Sequence, residues 1–168
     1  MNARILPVLM LLVLALAFSG CLGAAYKAGD QAYVRGDVNG ALAEYQAGAA
    51  DGDAGSLFAL GAMNASGQGM PQNDALALDY YQQAADLGSP EAMTVLGLRY
   101  LGDEGVPKDQ ARGVDLLLRA AEAGCPLAAA ELAYLYQQGI YLPQDEKMAE
   151  IMAWTAEANG MAPPEVGP

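Results

Sequence analysis

The chain contains no histidine among its 168 residues. That removes the usual general base and the commonest metal ligand. Cysteine is nearly as scarce, with only Cys21 and Cys125. Positive charge is scarce too: 8 Lys and Arg stand against 20 Asp and Glu, for a net charge of −12. Such a surface repels phosphate backbones, which argues against nucleic acid as a partner. It repels anionic lipid as well, so any membrane attachment has to come from acyl chains. No glycine-rich phosphate loop and no nucleophile elbow is present. The acids do not assemble a site either. Asp103 and Glu104 share a glycine-flanked loop, but two carboxylates are too few for a calcium cage. The reading is therefore a non-enzyme with no metal and no cofactor.

The N-terminus carries the one long apolar run, Ile5 to Phe18, broken only by Pro7. At fourteen residues it is shorter than the about 20 that a spanning helix requires. Arg4 precedes it and small residues follow, the layout of a secretory signal. The stretch Phe18-Ser19-Gly20-Cys21 resembles the bacterial lipobox, whose cysteine thiol receives a diacylglyceryl group and becomes the first mature residue. Phe18 departs from the leucine favoured there. The expectation is a signal peptide over 1–20, lipidation at Cys21 and a periplasm-facing protein. Leu22 in place of Asp after the cysteine resembles sorting to the outer membrane. An ordinary cleaved leader with an incidental cysteine is the alternative.

The rest of the chain repeats. Gly52, Gly88, Gly124 and Gly160 are spaced by 36 residues. So are Leu60, Leu96 and Leu132, and Pro71, Pro107 and Pro143. Asn73, Asp109 and Asp145 keep the same spacing. A fixed period over so many positions marks an array of supersecondary units. Each unit reads as helix, loop, helix. In the second, Ser89 caps a helix from about Pro90 to Leu101, with Pro90 at the first helical position, where its missing N–H costs nothing. A second helix runs from about Asp109 to Ala123 and stops at Gly124, which supplies the left-handed conformation. Ala92, Leu96 and Tyr100 form one stripe. Gly97 and Ala120 are small, as close helix approach demands. A lone hairpin cannot bury its stripe, whereas a stack can.

The pattern Ala92-xxx-Leu96-Gly97-xx-Tyr100, Gly105-Val106-xx-Asp109, Arg119-Ala120-Ala121-Glu122-x-Gly124 resembles a Sel1-like repeat, a branch of the tetratricopeptide superfamily. Leu60-Gly61, Gly67-x-Gly69, Ala77, Tyr80-Tyr81, Ala84-Ala85 and Gly88 repeat it upstream. Ala128, Leu132, Tyr136, Gly139, Asp145, Ala149 and Gly160 repeat it downstream, with departures at Ala133 and Tyr141, where the family prefers Gly. The resemblance implies an all-α, right-handed superhelical solenoid of about three and a half antiparallel hairpins. Residues 21–52 form a tetratricopeptide-like hairpin with a shorter loop, 53–160 three Sel1-like repeats, and 161–168 a proline-rich flexible tail.

Its functional implication is an adaptor or scaffold that binds another protein. An inhibitor or immunity protein of the periplasm is the alternative, and a hydrolase, as assigned to a few relatives, a weaker one. In the tetratricopeptide relatives the first helix of each unit lines the concave face. Carried onto this chain, that face is Tyr26, Tyr33, Phe58, Ala62, Thr94, Leu98, Leu101, Leu127, Tyr134 and Gln137. The binding residues expected are Tyr26, Tyr33, Phe58, Ala62, Leu98, Leu101 and Tyr134. They make an apolar, aromatic stripe on an acidic protein, and such patches mark binding sites. Cys125 stands at a cap position, either reactive there or simply packed. The last helix carries Met148, Ile151, Met152 and Trp154, with Met161 beyond, and no further unit to meet them. A second copy of the chain, the partner protein or the folded-back tail is expected to cover that face. Asn64-Ala65-Ser66 fits a glycosylation acceptor but lies within a helix.

Overall fold

The computed structural model describes residues 24–102 and 105–161. Cys21 and the leader, the Asp103-Glu104 pair and tail residues 162–168 lie outside the described residues. Eight helices and no strand occur among the residues described. They are α1 (Ala24–Val34), α2 (Val38–Ala50), α3 (Ala54–Ser66), α4 (Asp74–Asp86), α5 (Pro90–Gly102), α6 (Gln110–Glu122), α7 (Pro126–Gln138) and α8 (Glu146–Ala158). They pair as four hairpins rather than three and a half. The first is complete, its two helices joined by the short Arg35–Asp37 turn.

Side chains start most of these helices. Asp37, Asp53, Asn73, Asp109 and Asp145 each accept from a backbone N–H in the first turn. Ser89 Oγ does so for α5, accepting from Ala92 N at 3.2 Å. Each cap satisfies a donor that has no partner inside the helix. Gly67 and Gly139 end α3 and α7 in the left-handed conformation.

Within every hairpin the two helices lie side by side, and each second helix also packs on the first helix of the following hairpin. The closest approach inside a hairpin falls at one repeating position. A Cβ on Gly29 would meet the Tyr45 ring at 2.4 Å. One on Gly61 would meet the Tyr81 ring at 2.6 Å, and one on Gly97 would meet Gly113 O and Leu117 at 3.0 Å. Glycine on one helix thus makes room for a large side chain on the other, and Tyr45, Tyr81 and Leu117 are all buried. The fourth hairpin inverts the arrangement. Ala133 replaces the glycine, and its counterpart 36 residues after Leu117 is Ala153. The departure at Ala133 is therefore matched across the hairpin by a smaller partner.

A continuous core runs along the stack through Leu57, Tyr81, Leu96, Leu117 and Leu132, and a second cluster of Ala32, Ala41, Tyr45, Leu60 and Met63 closes the N-terminal end. Met161 packs against the larger cluster. The other family departure, Tyr141, holds a left-handed φ of 62°, where Gly69 and Gly105 stand in the earlier loops. Its hydroxyl donates to Leu101 O at 3.1 Å and its ring lies 5.1 Å from Lys108 Nζ. These ties to the preceding hairpin offset an unfavourable conformation.

Candidate functional site

The first two hairpins form an open cavity of about 360 Å³ between α1, α2 and α3. Tyr26, Asp30 and Tyr33 enter it from α1, Tyr45 from α2, and Phe58 and Ala62 from α3. Spacing on the helix explains the alignment. Tyr26 and Asp30 are four apart, as are Phe58 and Ala62, so each pair shares a face. Two glycines let the rings come close. Gly29 admits Tyr45 against α1, and Gly55 admits Tyr26 against α3, where a Cβ would sit 3.0 Å from the ring. The Tyr26 and Tyr45 centroids are 6.1 Å apart with planes inclined by 35°. Phe58 rests on Tyr81, centroid to centroid 5.7 Å.

The polar tips are placed by hydrogen bonds. Tyr45 Oη donates to Asp30 Oδ1 at 2.9 Å. Tyr33 Oη donates to the side-chain carbonyl of Gln68. Burial raises the pKa of the Tyr45 hydroxyl, and the bond to Asp30 raises it further. Burial also raises Tyr26, with Asp30, Glu91 and Asp53 adding to the effect. Both phenols therefore stay neutral donors at any physiological pH. The cavity joins an apolar aromatic wall to one carboxylate, and no Lys or Arg lines it.

Four of the seven expected residues, Tyr26, Tyr33, Phe58 and Ala62, meet in this cavity. The other three do not. Leu98 is half-buried against the core. Leu101 is 5% exposed, lodged over Gly113 where a Cβ would meet it at 2.8 Å. That burial removes Leu101 from any exposed surface, because its side chain fills the space that Gly113 leaves open. Thr94 is likewise buried. Tyr134 is 53% exposed and lines a different cavity, of about 520 Å³, between α7 and α8. The expected stripe thus breaks into two ends separated by a packed middle. Asp30, Tyr45 and Gln68 are site residues that the sequence reading missed. Gly29, which leaves room for a ring, was the available signal for Tyr45.

Other expectations are settled by burial. Cys125 stands at the N-cap of α7 without a capping bond, and it is buried. Thr94 Oγ1 lies 3.4 Å from its Sγ, so the thiol is a packed group. Asn64 is buried in α3 with its amide donating to Leu60 O at 2.8 Å, which removes it as a glycan acceptor. On α8, Met148, Ala149 and Met152 are half-buried, Met152 against the core, while Ile151 and Trp154 are exposed. Exposed Ile151 falls 36 residues after exposed Asp115, so it does not face the position of a next repeat. That face instead carries Glu150, Ala153 and Glu157.

The family model described as Sel1 repeat matches residues 54–89, 90–125 and 126–152. Among solved structures, the chain is similar to a Sel1 repeat protein from Oxalobacter formigenes, with 33% identity and a TM-score of 0.65. That match covers 71% of this chain and 90% of the other. It is also similar to a protective antigen with an SLR fold, present in uropathogenic Escherichia coli, with 29% identity and a TM-score of 0.71. There the match covers 88% of this chain but 32% of the antigen, so the chain spans about a third of that protein's length. No curated protein matches the chain.

Proposed function

The chain belongs to the Sel1 repeat family, and from that premise we propose that it is a lipid-anchored interaction scaffold of the bacterial envelope, holding a partner protein in the N-terminal aromatic cavity. Sel1 repeat proteins generally mediate protein–protein interaction, and their scaffolds are typically non-catalytic. The observation that carries the reading is the convergence of Tyr26, Tyr33, Phe58 and Ala62 on one cavity of about 360 Å³. Aromatic residues in such a recess are the usual anchors of binding energy. The carboxylate of Asp30 adds a preference for a donor or a cation on the partner.

Anchoring belongs to the same proposal. No described helix is long and apolar enough to cross a membrane. The lipobox-like Phe18-Ser19-Gly20-Cys21 supports acylation of Cys21, with the repeats facing the periplasm from the outer membrane. Two acyl chains give stable attachment where one gives only a reversible one.

The test is photo-crosslinking in envelopes from a probe at Gln68, on the cavity's lining, followed by identification of the captured chain. Tyr33→Glu plus Ala62→Glu abolishes that adduct while circular dichroism stays helical, since Tyr33 is exposed and Ala62 only half-buried. An adduct that survives both changes in a folded protein moves the site elsewhere. Intact mass of the membrane-extracted protein tests the anchor. A mature form that lacks acyl chains or begins at a residue other than Cys21 refutes it.

A further inference from the structure

The second cavity lies at the opposite end of the stack from the proposed partner site. It is a groove of about 520 Å³ between α7 and α8, closed at its base by Met161. Its position in the repeat identifies what kind of object fits. In the second and third hairpins most of the matching second-helix positions are buried, although Asp74 and Gln110, which match Glu146, are exposed. Tyr81 and Ala85 of α4 are covered, as are Val114, Leu117 and Ala121 of α6. Each of those helices has the first helix of the next hairpin packed on it: α5 on α4, and α7 on α6. Among the described residues no helix follows α8. The seat that holds a helix three times among the described residues has no described helix on it here.

Its lining also differs from the internal seats in a directed way. Positions occupied by Val114 and Ala121 in α6 carry Glu150 and Glu157 in α8, and Glu146 adds a third carboxylate. No Lys or Arg lines the groove. The position filled by Tyr81 and Leu117 in the earlier hairpins is Ala153, which faces Ala133 across the hairpin. The groove therefore has an acidic rim and lacks one large apolar side chain at its centre. Both deficits have to be made up by whatever sits there.

We propose that this end groove is a second docking site, and that its occupant is an amphipathic helix of another protein with one large apolar side chain flanked by Lys or Arg. The helix stacks as the next repeat element would. Its apolar side chain enters between Ala133 and Ala153, and its cations meet Glu146, Glu150 and Glu157. A second copy of this chain is disfavoured by its net charge of −12, because like-charged bodies repel.

The experiment is selection of displayed helical peptides, randomised on their surface positions, against the purified full chain. Enriched peptides carry Leu, Phe or Tyr with Lys or Arg one turn to either side. They bind wild type with salt-sensitive affinity and perturb the emission of Trp154, the chain's single tryptophan, which is 69% exposed on α8. Ala153→Leu fills the groove and weakens binding by about tenfold or more, and Glu150→Lys plus Glu157→Lys does the same. All three positions are exposed, so folding is preserved. Tyr33→Glu plus Ala62→Glu leaves this binding unchanged, which separates it from the N-terminal site. Failure to enrich any peptide over Ala153→Leu overturns the proposal. So does enrichment of peptides without basic residues, or binding that depends on the glutamates but ignores Ala153→Leu, which is adsorption by net charge. A dimer abolished by Ala153→Leu assigns the groove to a second copy. Binding that arises only when residues 162–168 are removed assigns it to the chain's own tail.

Discussion

Single residues set how closely the helices of this protein approach. Gly97 lies so close to Gly113 O and Leu117 that a Cβ would sit 3.0 Å from both. Gly97→Leu is expected to overpack that contact and destabilise the chain by about 1–3 kcal/mol. The midpoint of urea denaturation measures it, and an unchanged midpoint would count against the packing described. Tyrosine ionisation supplies a second residue-scale prediction. The Tyr45 pKa lies above the ordinary 10.0 in the folded chain because the ring is buried and its hydroxyl bonds Asp30. The unfolded chain therefore releases this proton first. The stability involved is fully present below pH 10 and is lost as pH rises through the folded value. Helicity should hold to pH 10 and then fall as tyrosinate absorbance appears. Tyr45→Phe should lower neutral-pH stability by about 1 kcal/mol, from the lost hydrogen bond, and shift the alkaline loss to higher pH.

At the scale of the element, caps decide where each helix begins. The capping residues recur at the 36-residue spacing as Asn73, Asp109 and Asp145, and each accepts from the first turn. Asp109→Ala should cost about 1 kcal/mol in a denaturation series. α7 is the exception, since Cys125 makes no capping bond. Ser89 holds the equivalent place 36 residues earlier, is also buried, and does cap. Cys125→Ser should therefore gain up to about 1 kcal/mol rather than lose stability. A fall in melting temperature would show that the thiol's packing beside Thr94 outweighs a cap. The helix limits read from the sequence sit within a residue or two of those in the structure. Proline at the first helical position and glycine or aspartate at the ends are local signals, and local signals need no fold to act.

For the molecule as a whole, stability is distributed along a one-dimensional stack in which each hairpin leans on its neighbours. The distribution is uneven. α6 buries Gly113, Val114, Leu116, Leu117, Ala120 and Ala121, whereas α8 buries Ala156 alone. Among the described residues the last hairpin has a neighbour on one side only, and small Ala153 stands where Tyr81 and Leu117 fill the earlier hairpins. Native-state hydrogen exchange should find α8 opening at the lowest free energy, α7 next, and α5 and α6 close to the global value. Equal protection of α6 and α8 would refute this ordering. Ligation of the end groove by a helix should raise the protection of α8 selectively.

The period, the hairpins, their caps and the close approach at Gly97 all followed from the amino-acid order. They depend on spacing within one unit, and a unit repeated along the chain states its own alignment. Which exposed positions share a surface did not follow. Tyr26, Tyr33, Phe58 and Ala62 converge, yet Leu101 at a corresponding helix position is buried over Gly113. The reason is that covering a side chain is the work of the neighbouring hairpin, and its reach depends on the bulk at each contact. Glycine opposite tyrosine or leucine draws one pair of helices together, and alanine opposite alanine leaves a groove. A stripe drawn on single helices cannot register those differences. Only the stacked hairpins separate the two open ends from the packed middle.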